Sequence, residues 1–169
     1  MKITTSLIAA AIVIQLSVPL FSHAGELKDI HKLIVKNVDM ENGKSIYEHG
    51  KRFNGPRIAF NGGPHWMRTE NTGCQTCHGP KGIGGVLPDY CTTTSPPITY
   101  KYLKGSGYSF VSRRNGNHPA YNKHTLKNAL KTGFKSNGFE MDYCMPRWRL
   151  IDKDFLDLLG YLHTLDAEH

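Results

Sequence analysis

Five consecutive residues constrain this chain more than any other feature. Cys74-Gln75-Thr76-Cys77-His78 is a C-x-x-C-H run, the attachment signature of a c-type haem. The spacing follows from the chemistry. Two thiols add to the two vinyl groups on one edge of the porphyrin, and the next residue sets an imidazole under the iron. Two intervening residues let one helical turn present all three groups together. His78 is then the proximal ligand, a neutral imidazole bonding iron through one ring nitrogen. The motif occurs once, so one covalently bound haem c is expected. Other uses of C-x-x-C fit less well. A zinc site needs a second ligand pair, and Cys91 and Cys144 are not so spaced. A thioredoxin-like redox pair needs a βαβ context, and no such pattern appears.

The rest of the chain reads as support for that cofactor. Gly43, Ile46, Tyr47 and Gly50 recur at helical spacing, as do Leu126, Ala129, Leu130 and Gly133, and again Phe155, Leu158, Leu159 and Leu162. Asn122 or Thr125 is the expected N-cap of the second helix and Gly133 its stop, with Asp152 a cap for the third. Gly43 and Gly50 form a small-residue surface where a helix carrying Tyr161 is expected to cross. No comparable period-two alternation occurs. The expected fold is all-α: about three main helices around one haem, with long irregular loops. Between His78 and Asn122 the sequence is rich in Gly, Pro, Ser and Thr, with a short helix expected near Tyr100 to Lys104. So long an irregular stretch normally counts against an assignment, but wrapping a large flat cofactor accounts for it.

Residues 1–24 differ in character from the rest of the chain. Lys2 gives a positive start, Leu7 to Leu16 is apolar apart from Gln15, Pro19 breaks the run, and Ser22-His23-Ala24 ends it with small residues where a signal peptidase reads. A membrane anchor is the competing reading, but the run is short for a span and is interrupted. The expected division is a signal peptide over 1–24 cleaved after Ala24, an N-terminal segment over 25–39, and the haem domain over 40–169. Export places the protein in an oxidising compartment, the periplasm, where disulfides persist. Lys and Arg total 21 against 14 acids, a net charge of +7; loss of residues 1–24 removes one cation and no acid. A basic surface suits redox partners with acidic docking faces, with Lys81, Lys101, Lys104, Lys131 and Lys135 as candidates. No basic helix or aromatic-basic stripe suggests nucleic acid. Membrane contact is expected only through partners or an uncleaved signal.

Near the end, Cys144-Met145-Pro146-Arg147-Trp148 precedes the last helix. Pro146 biases Met145 away from helical geometry, which suits a distal iron ligand. A thioether ligand raises the iron potential. The alternative role for Met145 is filling the core.

Together these residues resemble class I cytochrome c from about Met40 to Leu165. The resemblance rests on the first helix with Gly43, Ile46-Tyr47 and Gly50; on Cys74 to His78 followed by Gly79-Pro80-Lys81-Gly82; and on Met145-Pro146-Arg147-Trp148 before a closing helix with Tyr161-Leu162. It implies His78 and Met145 as the axial pair. It also implies that the carbonyl of Pro88, in Gly85-Val86-Leu87-Pro88, accepts the bond from the other ring nitrogen of His78. Met141 falls at an apolar position of the family and is read as core. Met40 and Met67 are less well placed as ligands. His65, His118 and His124 are read as surface or structural residues. Arg147, Trp148 or Arg149 is a candidate donor to a haem propionate.

Two features depart from the family pattern: the longer segment before Leu126, and the extra pair Cys91 and Cys144. In an extended segment neighbouring side chains alternate, so Cys144 faces away from iron if Met145 faces it. A Cys91–Cys144 disulfide is expected, pinning the long loop to the Met145 segment. The expected function is one-electron transfer between redox proteins, without catalysis and with no small-molecule substrate. The alternatives are a haem c subunit of a larger oxidoreductase, and a haem protein with a labile distal site that binds a small ligand.

Overall fold

The computed structural model describes residues 37–105 and 119–168. The expected signal segment and His118 lie outside them. Five α-helices are described: α1 (Met40–His49), α2 (Gln75–His78), α3 (Tyr100–Lys104), α4 (Lys123–Thr132) and α5 (Asp152–Thr164). Two short strands, β1 (Phe60–Asn61) and β2 (Arg147–Trp148), pair antiparallel. Single 3₁₀ turns cover His65–Arg68 and Leu165–Glu168. The mostly helical character matches the periodicity of the sequence. Among the described residues no helix is long and apolar enough to cross a membrane.

The helix ends follow local chemistry. At α1 the Asp39 carboxylate accepts from the Asn42 N–H, and Gly50 closes the helix in the left-handed region at φ 63°. At α4 Asn122 and Thr125 form a reciprocal capping box, and Gly133 stops the helix at φ 82°. At α5 the expected cap moves by one residue. Ile151 holds the cap position with no side-chain bond, and Asp152 is the first helical residue. Its carboxylate instead takes an ion pair from Lys127 of α4 while complementing the positive helix end.

The core forms where α1 crosses α5. A Cβ on Gly43 would lie 2.1 Å from the Asp157 carbonyl oxygen and 3.0 Å from the Tyr161 Cβ. Gly43 therefore sets the depth of the crossing, as expected. Tyr47 and Tyr161 pack beside it with ring centroids 5.3 Å apart. Gly50 has another use: a Cβ there would meet the Thr72 carbonyl and the Trp148 indole, so it seats the loop before α2 and not the crossing. Two buried acids of α5 staple the helix to the chain around α1. Asp154 takes a bidentate bond from Arg52, Nε to Oδ1 and Nη2 to Oδ2, and Asp157 accepts from the Asp39 N–H at 2.9 Å and from Asn42 Nδ2 at 2.8 Å.

The ladder pairs Phe60 with Trp148 and Asn61 with Arg147, with the Phe60 and Trp148 rings 5.0 Å apart. The Gly63 N–H extends this contact to the Tyr143 carbonyl. These contacts lay the segment after α1 along the Met145 loop, so that loop is backed by folded chain.

Candidate functional site

The C-x-x-C-H run folds as a single helical turn. The His78 N–H donates to the Cys74 carbonyl at 2.8 Å, and the Gly79 N–H to that of Gln75 at 2.8 Å. The turn sits directly on the end of α1: a Cβ on Gly73 would lie 2.3 Å from the Tyr47 carbonyl oxygen. The buried Tyr47 hydroxyl then donates to the Gly79 carbonyl at 2.6 Å. One residue of α1 thus holds the motif at both ends.

Burial sets the ionisation of the three groups. His78 is only 4% exposed. Desolvation pulls its imidazole below the usual histidine range, opposed by its bond to a carbonyl. Burial pushes the Cys74 thiol up to about 12 and raises that of Cys77. All three are therefore neutral at pH 7.

The carbonyl facing His78 belongs to Pro96, not to Pro88. His78 Nδ1 lies 2.7 Å from the Pro96 oxygen, whereas the Pro88 carbonyl accepts from the Cys91 N–H at 3.0 Å. The reason is the length of the loop. Residues 84–95 fold back on themselves, with Gly85 and Ser95 paired and the Ser95 N–H donating to Val86. The Ser95 hydroxyl closes the loop on the Cys77 carbonyl. The chain thus reaches the ring only at Pro96, and Pro88 is left on the rim, where it still borders the cavity. In the sequence, Pro96-Pro97-Ile98-Thr99 directly before α3 is the signal that would have found it.

Cys74, Cys77 and His78 form one wall of a largely apolar cavity with about 1220 Å³ of empty space, counting its open mouth. Leu126, Ala129 and Leu130 of α4 supply another wall, with Leu103 and Tyr121 beside them. Met145 borders the same cavity, as do Met67 and Met141. Met67 is buried in the core, Met141 is partly buried against it, and Met40 is exposed. Of the expected docking lysines, Lys135 borders the cavity and is half-buried, while Lys81, Lys101, Lys104 and Lys131 are exposed. His65 and His124 are exposed.

The Met145 segment is clamped by Arg147. Its guanidinium donates to the carbonyls of Asp142 at 3.0 Å, Met141 at 3.2 Å and Met145, and reaches Glu140 Oε1 at 3.3 Å. Gly133 makes room for it, since a Cβ there would lie 2.1 Å from Arg147 Nε. Arg147 is thereby committed to the loop, a role that its place in the sequence does not reveal. Trp148 is buried and borders the cavity, while Arg149 is exposed and its N–H donates to the Ala59 carbonyl. Cys91 and Cys144 are joined by a disulfide with Cα atoms 5.9 Å apart, as expected.

The family model described as cytochrome c matches residues 67–166. The chain belongs to the cytochrome c family. Neither the curated proteins nor the solved structures contain a significant match. The matched stretch of this cytochrome holds the C-x-x-C-H turn, Pro96, the disulfide and Met145, and α1 lies ahead of it. Members bind haem c covalently and transfer electrons. The residues fit that group: an apolar cavity, two neutral thiols on one edge, and a neutral imidazole whose Nδ1 is occupied, leaving Nε2 for iron.

Proposed function

We propose that this cytochrome is an exported, monohaem electron carrier with His78 and Met145 as its axial ligands. The observation that carries the reading is the meeting of Cys74, Cys77, His78 and Met145 around one apolar cavity. Haem iron held there supplies a one-electron couple whose potential a thioether ligand raises. The protein's part is to hold the geometry fixed. The Pro96 carbonyl orients the His78 ring and makes its other nitrogen a better ligand. The Arg147 clamp keeps the Met145 segment from drifting. The apolar walls of α4 exclude water from the cavity.

Met145 is preferred over the two other methionines at the cavity. The buried Pro146 follows it, and its own carbonyl and those of Met141 and Asp142 are fixed by one guanidinium. The residues before Gly25 carry the export reading. The net charge of +7 and the exposed Lys81, Lys101, Lys104 and Lys131 suit partners with acidic faces.

Visible spectra of the purified holoprotein, oxidised and then reduced, test the ligand set. A low-spin spectrum with the weak methionine-to-ferric-iron band, unchanged by carbon monoxide after reduction, is the expected result. A high-spin spectrum or prompt carbon monoxide binding overturns it and favours a labile distal site.

A further inference from the structure

We propose that the Cys91–Cys144 disulfide is a redox-sensitive latch on the Met145 loop, opened by thiol–disulfide exchange with a dithiol protein. The inference rests on Met145 being the distal ligand and goes beyond it, because it makes that ligation conditional on a second redox couple. Cys144 is the residue immediately before Met145, and both border the haem cavity. Its partner sits on the loop of residues 84–95, whose tip is open to solvent. Tyr90 is 84% exposed and Tyr143 is 68% exposed, one on each side of the bridge. A dithiol reagent therefore has a path to sulfurs that are themselves only partly covered.

What else ties the two segments together is slight. Asp142 Oδ2 accepts from Thr93 Oγ1 at 2.9 Å and, at a longer 3.4 Å, from the exposed Thr92 Oγ1. The Arg147 clamp acts within the segment of residues 140–147 and does not reach the Cys91 loop. The disulfide thus dominates the cross-connection. The chain before it is also strained. Tyr90 stands in the left-handed region at φ 66°, a conformation that a bulky side chain rarely adopts. The turn that holds it there is closed locally, by the Cys91 N–H on the Pro88 carbonyl at 3.0 Å, so it does not depend on the bridge.

The step balances as ordinary exchange. One thiolate of the dithiol protein attacks a sulfur of the bridge, and its second thiol resolves the mixed disulfide. The dithiol loses two electrons and two protons, and Cys91 and Cys144 gain them as two thiols. Iron takes no part.

The test uses the ascorbate-reduced holoprotein, with ferrous iron in both arms, with or without tris(2-carboxyethyl)phosphine under native conditions. Carbon monoxide binding is followed at the Soret band, and thiols are counted by alkylation and mass spectrometry. The expected result is two alkylated cysteines and carbon monoxide binding at least tenfold faster in the phosphine arm. The double variant Cys91→Ser with Cys144→Ser is expected to match that arm without phosphine. Two alkylated cysteines with an unchanged binding rate overturn the latch while leaving His78–Met145 ligation standing. A bridge that resists native reduction overturns it as well. Prompt carbon monoxide binding before any phosphine is added removes the ligation reading, and the latch with it.

Discussion

Replacing Arg147 by Gln should loosen the distal side of this cytochrome more than it unfolds the protein. The guanidinium donates to three carbonyls, those of Met141, Asp142 and Met145, and only its contact with Glu140 is to an exposed side chain. Bonds to charged groups are worth roughly 1.5–3 kcal/mol each. The site is partly open, so water replaces part of each bond. About 1 kcal/mol per carbonyl is then a fair net figure, or ~3 kcal/mol in all. The disulfide and the Thr93–Asp142 bond remain in the variant, so the loss falls on local opening of the Met145 segment. At about 1.4 kcal/mol per factor of ten, the open fraction rises roughly 100-fold. Carbon monoxide binding to the ferrous protein reads that fraction directly, and the thermal midpoint reads global stability. The expected pattern is a binding rate up by one to two decades with a small fall in midpoint. A lowered midpoint with a binding rate within twofold of the parent would falsify the assignment of Arg147 to the loop.

Three further outcomes are expected from the packing and the ionisation. Gly43→Ala drives a methyl group into the Asp157 carbonyl; α1 and α5 must separate, with a loss of roughly 1–3 kcal/mol or more in denaturant titrations. Arg52→Met leaves the Asp154 carboxylate, 2% exposed, without its bidentate partner. Only the carboxylate is fully buried, Arg52 being 31% exposed, so about 3 kcal/mol, the low end for breaking a buried pair, is expected, much of it recovered in Arg52→Met with Asp154→Leu. In the haem-free protein, where no iron holds the imidazole, stability should also fall with acid. Burial holds the folded His78 pKa below its ordinary value, so the unfolded chain takes up a proton that the folded chain refuses. Stability drops as pH falls below about 6.5 and levels off beneath the folded pKa. Denaturation midpoints of the haem-free protein from pH 8 to pH 4 check this; a flat profile over that range would mean that His78 does not resist protonation.

The helices and the haem turn were legible because their signals are local. The periodic apolar positions, the Asn122 and Thr125 cap and Gly133 act through neighbours within one turn. Gly43 was legible for a related reason: a small residue on an apolar face invites close approach, and Asp157 supplies it. The disulfide was reachable because only two cysteines stood outside the haem motif; the expected alternation of faces does not hold, since the Met145 N–H closes a turn on the Asp142 carbonyl at 3.0 Å and Cys144 and Met145 border the same cavity. Pro88 failed as the partner of His78 because its assignment assumed a family-length loop. The fold-back of residues 84–95 moves the carbonyl eight residues along, to Pro96.

The sequence by itself determined the cofactor chemistry and the helical frame. Both are written in short-range spacing: five residues for the haem attachment, and three or four between successive apolar positions. Tertiary structure alone decided which carbonyl meets His78, which glycine meets a helix and which meets a loop, and that Arg147 serves the Met145 segment. Those choices depend on how far each loop travels before it packs. Loop length is visible in a sequence, but the path a loop takes is set by contacts between residues distant along the chain.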